Sequence, residues 1–368
     1  MVAWLIRAAC SGLLSQRHAS GKGASEMKEL RTAVLGLGRI GWQFHLPRIH
    51  QHAGFNLVAV VDPLPDRLKE ARTVYGVKGY ADCDALFAAE TPDLIVVASP
   101  TSFHADQTIA AFRHGSDVFC DKPMAVSLGE ADRMIGVMAE CRRKLMVYQP
   151  HRATAEVVAL QDILRQDLIG RVYMIKRTCT DYTRRNDWQA FRKNFGGMLN
   201  NYGAHYIDQL LYLSQSPVKR ATCSLRTIAS LGDADDVVKA VLETENGMLL
   251  DVDINMAAAV SMRPWHILGQ RGAIVLSDDT SAWHVCYYRP EDLPVIPVQD
   301  GLAAAERRYG SGEKITWQEL MIPISDFKPV DFYAKCYDYF ALNRDPFVPV
   351  TATRELMRVI DLCRQDAR

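Results

Sequence analysis

"TAVLGLGRIG", residues 32–41, is a short apolar run that leads straight into Gly36, Gly38 and Gly41. A lone G-x-G-x-x-G also fits many glycine-rich turns. Here a helical pattern follows it, and a second apolar run, "FNLVAVVD" (55–62), ends in Asp62, 21 residues beyond Gly41. Strand, glycine turn, helix, strand and acid in that order are what a dinucleotide-binding unit requires. Gly36 permits the tight turn, Gly38 lets the backbone approach a pyrophosphate, and Gly41 lets helix pack on strand. Arg39 and Ile40 complete the loop, and the helix N-terminus offers unpaired N–H groups to the phosphate charge. Asp62 is placed to accept hydrogen bonds from ribose hydroxyls and to repel a 2′-phosphate. NAD is therefore expected over NADP, with Arg67 the residue that could still neutralise a phosphate. Pro47, inside the first helical stretch, predicts a kink or early break.

The alternation continues through a helical "DRLKEARTVYG" (66–76), a buried strand "DLIVVAS" (93–99), a helix from about 103 to 114 and a strand "SDVFC" (116–120). Ser127 and Glu130 form an S-x-x-E capping box for the next helix, and "KLMVYQ" (144–149) reads as a last strand. Strands alternating with helices predict a parallel sheet covered on both faces, with ligands at the carboxyl ends of the strands.

Past Gln149 the rhythm changes. A helix at about 153–166 and a long strand at 170–183 precede a helical segment bearing Asn201 and His205. Then come apolar alternating runs, "SLRTIAS", "DVVKAVLET", "GMLLDVDINMAA", "PWHILGQ", "GAIVLSD" and "WHVCYY", without helices between them. They predict a largely antiparallel sheet, closed by helices at 329–341 and 352–367, with residues 289–315 an irregular excursion. The expected class is α/β: a Rossmann dinucleotide-binding domain over 27–149 and an α+β domain over 150–368.

Composition narrows the function. Lys+Arg and Asp+Glu both number 43, leaving no net field to draw nucleic acid or an anionic membrane, so the expected partner is a small molecule. The nine cysteines never fall as C-x-x-C and the ten histidines make no H-x-x-x-H pair, which argues against a disulfide framework and a metal site and for a reducing, cytoplasmic setting. No apolar run approaches the ~20 residues needed to cross a bilayer. Residues 1–26 carry no acid before Glu26 and end in a Gly/Ser stretch. They read as a leader of transit-peptide type or, preferably, as translated sequence upstream of a natural start at Met27, and they are set aside from the fold.

Three motifs carry a resemblance. After the strand ending at Ser99 comes "PTSFH" (100–104), after the strand ending at Cys120 comes "DKP" (121–123), and "GGMLNNYGAHYID" spans 196–208. In these the chain resembles the glucose–fructose oxidoreductase / inositol dehydrogenase / MocA-like oxidoreductases, from residue 31 to the end. The family usually has an Asn in the stretch where Thr101-Ser102 precede His104, Glu for Asp121 and Asp for Asn201. The resemblance implies Lys122 as the catalytic lysine beside the nicotinamide, Pro123 following through a constrained, often cis, peptide, and His205 as the general acid/base. It implies Ser99, Pro100, Thr101, His104 and Asp121 as further cofactor neighbours, and a second-domain sheet whose open face makes a homo-oligomer, dimer or tetramer.

The chemistry of the residues agrees. A lysine at a strand's carboxyl end can stabilise alkoxide character as hydride leaves, and an imidazole can take the hydroxyl proton at neutral pH. Asn201 exchanges no proton, so it would hold a substrate hydroxyl or orient the imidazole one helical turn on. Around the cleft, His151, Arg152, Tyr182, Arg184 and Trp188, with Arg185 and Asp187, are candidate sugar contacts. The expected activity is NAD(P)-dependent interconversion of a secondary alcohol and a ketone on a sugar, cyclitol or related polyol. The alternatives are a hydrolase or epimerase working by transient oxidation and a sugar- or NAD-sensing regulator.

Overall fold

The structure, a computed structural model, describes residues 28–298, 300–301 and 313–367. The leader at 1–26 and part of the 289–315 excursion lie outside the described residues.

The first half alternates β1 (Leu30–Leu35), α1 (Leu46–Gln51), β2 (Phe55–Val61), α2 (Pro65–Tyr75), β3 (Lys78–Tyr80), α3 (Cys83–Ala89), β4 (Leu94–Val97), α4 (His104–Arg113), β5 (Asp117–Asp121), α5 (Leu128–Glu140) and β6 (Leu145–Tyr148). All pairings are parallel, in the order β3-β2-β1-β4-β5-β6. The order reverses between β1 and β4, and that switch point is where the glycine loop lies. The central strands are apolar and buried on both faces, as the helices on either side require. The break expected near Pro47 is present: a looser π-helical turn, Gly41–His45, gives way to α1 with the proline in its first turn. The capping box is displaced by one residue, since Ser127 accepts from Glu130 N while the Glu130 carboxylate accepts from Val126 N.

The second half contributes α6 (Ala155–Arg165), β7 (Val172–Thr180), α7 (Ala204–Ser214), β8 (Val218–Arg226), β9 (Val237–Thr244), β10 (Leu249–Asn255), β11 (Trp265–Gly269), β12 (Gly272–Leu276), β13 (Ala282–Tyr287), β14 (Gln318–Pro323), α8 (Phe332–Leu342) and α9 (Val350–Asp366). The eight strands form one sheet ordered β14-β13-β12-β11-β7-β10-β9-β8, antiparallel throughout except for β7 beside β10. The run "SLRTIAS" ends its strand at Arg226. The following backbone turns away to give the N–H groups of Ile228, Ala229 and Ser230 to the Asp236 carboxylate. One face of this sheet packs on α6, α7 and α9 in a single core. Helix α8 packs elsewhere: Phe332, Tyr333, Cys336, Tyr337 and Phe340 join the core beneath β1, β4 and β5. Met357 of α9 reaches the other side of that first sheet. The chain's end thus ties the two sheets together. Among the described residues no helix is long and apolar enough to cross a membrane.

Candidate active site

The glycine loop has the shape a dinucleotide needs. Gly36 sits at φ +90°, and a Cβ there would come within 2.6 Å of Ser99 N on the neighbouring strand end. At Gly41 a Cβ would fall 1.9 Å from the Gly36 carbonyl. Gly38 has nothing within 4 Å of where its Cβ would be, so its backbone borders open space, and Arg39 beside it is exposed. The residues present fit a bound dinucleotide. Asp62 is buried, and its carboxylate accepts from Leu37 N (2.8 Å), Leu64 N (3.0 Å) and Arg67 Nη1 (3.2 Å). A carboxylate offers about four acceptor positions, so room for a ribose hydroxyl remains. The Arg67 guanidinium is paired with Asp62.

At the ends of β4 and β5, the Lys122–Pro123 peptide is cis. The His104 ring is buried, with Nε2 2.8 Å from the Ser99 carbonyl and Nδ1 2.9 Å from the Pro123 carbonyl. His104, expected as a cofactor neighbour, has both ring nitrogens engaged in holding the two loops together. Ser99 Oγ donates to Gln107 (2.6 Å), Asp121 is buried, and Pro100 and Thr101 lie at the surface of the loop.

Lys122 reaches across to the second half. Its Nζ donates to Asn201 Oδ1 (3.0 Å) and to the Asn201 carbonyl (3.1 Å). Burial pushes the ammonium down to about 8; the Arg185 and Arg39 charges act the same way, and Asp121 opposes them. Asn201 therefore answers to Lys122. The i,i+4 spacing of Asn201 and His205 supposes a regular α-turn; residues 199–203 form a wider π-turn leading into α7.

His205, on the first turn of α7, is buried, and its Nδ1 has no hydrogen-bond partner. Its ring lies flat on that of His151, centroids 3.8 Å apart and planes 7° from parallel. Burial holds the His205 imidazole well below the usual histidine range, with Lys122 and then His151 reinforcing it. Burial likewise pushes His151 down to about 4, with Arg177 and Lys122 adding to it. The arrangement therefore joins an ammonium able to stabilise negative charge and a neutral imidazole able to take a proton.

Among the expected substrate contacts, Arg152 requires correction. It is 3% exposed, and its Nε and Nη2 each lie 2.6 Å from the Asp208 carboxylate, with the guanidinium over the Tyr212 ring. A buried guanidinium must be paired, and this one is held by Asp208 through two N–H groups. Tyr182 and Trp188 are exposed, as is Arg184, and no hydrogen bond or ion pair connects them to Lys122. From that loop it is Arg185 whose charge reaches Lys122. Arg185 also lines a cavity of about 70 Å³ together with Asp181, Gln189, Tyr202 and Asp235. Sequence reasoning missed Gln209 and Asp208, which grip the His151–Arg152 turn from α7. Their i+3 and i+4 spacing from His205 was the available signal. It also missed Gln149, whose amide is buried with neither end hydrogen-bonded.

Comparison with known proteins shows the family and the fold. The family model described as "Oxidoreductase family, NAD-binding Rossmann fold" matches residues 30–149, and the GFO/IDH/MocA C-terminal domain matches residues 157–275. The inositol 2-dehydrogenase of Rhizobium meliloti is 29% identical over 222 residues, 59% of this chain and 66% of that enzyme. The myo-inositol 2-dehydrogenase of Thermotoga maritima is 27% identical over 67% of this chain and 74% of its own. In fold, an NAD-binding protein from Listeria innocua superposes with TM-score 0.80 at 21% identity, covering 92% of this chain and 97% of that one. The WlbA dehydrogenase from Bordetella pertussis, solved with NADH and UDP-GlcNAcA, has TM-score 0.73 at 21% identity over 93% of this chain and 97% of its own.

Proposed function

The chain belongs to the Gfo/Idh/MocA oxidoreductases, and on that footing we propose that it interconverts a secondary alcohol and a ketone on a sugar, cyclitol or related polyol. NAD, when bound, supplies the hydride acceptor. The observation that carries the reading is Lys122, drawn from the tip of β5 onto Asn201 of the other half, with a buried neutral His205 on the adjacent turn.

In this reading the imidazole of His205 accepts the hydroxyl proton. The Lys122 ammonium donates to the same oxygen and stabilises its developing negative charge; burial strengthens that interaction because little water screens it. Asn201 holds Lys122 in place through two acceptors. Asp62 receives the adenosine ribose. The cyclitol or sugar class draws support from the inositol dehydrogenases to which the chain is similar.

The test is a panel of cyclitols, aldoses and sugar acids, each incubated with NAD or NADP while reduced cofactor is followed by absorbance. Net reduction with a polyol supports the proposal. Chemical change of the substrate without net reduction replaces it with the epimerase or hydrolase reading. Binding of sugar and NAD with no chemical change overturns it in favour of a sensor.

A further inference from the structure

Helix α7 closes on the turn at residues 150–153 with three side chains. His205 stacks on the His151 ring at 3.8 Å. Asp208 takes Arg152 in a buried bidentate pair. Gln209 donates from Nε2 to the His151 carbonyl (3.0 Å), and its Oε1 accepts from Arg177 Nε (3.2 Å). Spacings of three and four put these side chains on one helix face. The ring, the backbone carbonyl and the neighbouring guanidinium are each held from the same helix.

Two imidazoles lying flat on one another do not pass a proton, because their N–H groups and lone pairs lie in the ring planes. The stack acts in other ways: it covers one face of His205 against water and fixes the ring's tilt. The charged neighbours act in the same sense. Lys122, from the β5 end, bears on both rings, and Arg177 of β7, lodged over the Tyr206 and Trp265 rings, bears on His151. Arg185 and Arg39 bear on Lys122, with Asp121 opposing them. The Asp208 carboxylate, on the same helix as His205, is taken up by Arg152.

We propose that His151 is a positioning residue: clamped through Asp208 and Gln209, its ring keeps the His205 imidazole dry, fixed in tilt and ready to accept a proton. The role matters because of the reading of His205 as proton acceptor given above, but its test needs no substrate. Protein labelled with ¹⁵N-histidine is titrated and the ring signals followed, the His205 signal being assigned by its loss in His205→Gln. The unaltered protein is expected to keep His205 neutral at pH 6. His151→Ala, which admits water, should raise the midpoint by about one pH unit or more toward the ordinary value. His151→Phe, which keeps a flat ring in place, should leave it low. Gln209→Met frees the His151 carbonyl and should move the midpoint up as well; should His151→Ala fail to fold, this variant decides the matter. An unchanged midpoint in His151→Ala, or in Gln209→Met where that variant decides, overturns the proposal, as does a rise in His151→Phe equal to that in His151→Ala. Full turnover by His205→Ala would refute the acceptor reading alone and leave the titration result standing.

Discussion

Replacing Asn201 by Asp puts a carboxylate where an amide oxygen now lies 3.0 Å from Lys122 Nζ. At that distance the Coulomb energy is about 5.5 kcal/mol for an effective dielectric near 20, an upper bound because the new carboxylate must itself be desolvated. An adjacent opposite charge commonly moves a pKa by about 1–3 units. The sign follows from which form is favoured: the anion stabilises the ammonium, so the Lys122 midpoint must rise from about 8 toward or beyond the ordinary lysine value. The assay is NMR titration of protein carrying ¹³C at the lysine ε carbons, with Lys122 assigned by its loss in Lys122→Arg. A pH–rate limb governed by Lys122 should move upward by the same amount. A Lys122 midpoint unchanged in Asn201→Asp would show that the two side chains are not coupled and would refute the placement of Asn201 on the lysine.

Three other outcomes are expected. Asp62→Ala releases Arg67 from its 3.2 Å pair and removes the charge that repels a 2′-phosphate, so the NAD-over-NADP affinity ratio should fall by about tenfold or more; titration of both cofactors measures it, and an unchanged ratio contradicts the role given to Asp62. Asp208→Ala leaves the Arg152 guanidinium buried and unpaired, so it should cost about 3–5 kcal/mol in denaturant unfolding, whereas a substrate-contacting Arg152 would show as a KM effect with stability intact. His45 and His151 are held near 4 and His205 well below the usual histidine range, so the unfolded chain takes up protons below about pH 6.5 that His45 and His151 in the native protein refuse until about pH 4. Native stability is therefore fully present above that window and falls through it by up to about 1.4 kcal/mol per pH unit for each such group, and flat stability from pH 7 to 5 would contradict their burial as neutral rings.

The fold was legible wherever local pattern and tertiary role coincide. Strand β1, the glycine turn and Asp62 occupy one stretch of chain, and the steric demands at Gly36 and Gly41 are met by residues of the same unit. Strand β3 escaped notice because it is three residues long. Strand β14 escaped because it pairs only with β13 at the sheet edge and is mostly exposed, leaving no clear apolar alternation. At the site, Lys122 and His205 could be picked out by motif, but their partners could not. Lys122 meets Asn201 across 79 residues, and Arg152 meets Asp208 across 56. An arginine beside a cleft looks the same in sequence whether it faces substrate or is paired within the core. The turn between Asn201 and His205 is π-helical, so the regular α-helical spacing read from the sequence does not hold there.

The central claim, hydride transfer from a polyol carbon to NAD with Lys122 at the reacting oxygen, is tested most directly by a deuterium-transfer experiment. Protein and NAD are incubated with a cyclitol or sugar deuterated at its carbinol carbons, and the nicotinamide is examined for label, in parallel with Lys122→Ala. Label is expected on the reduced cofactor in the unaltered protein, and in Lys122→Ala NAD affinity is expected to be retained with transfer slowed by about 10²-fold or more. Reduced cofactor carrying no label, or transfer at the full rate in Lys122→Ala, would contradict it.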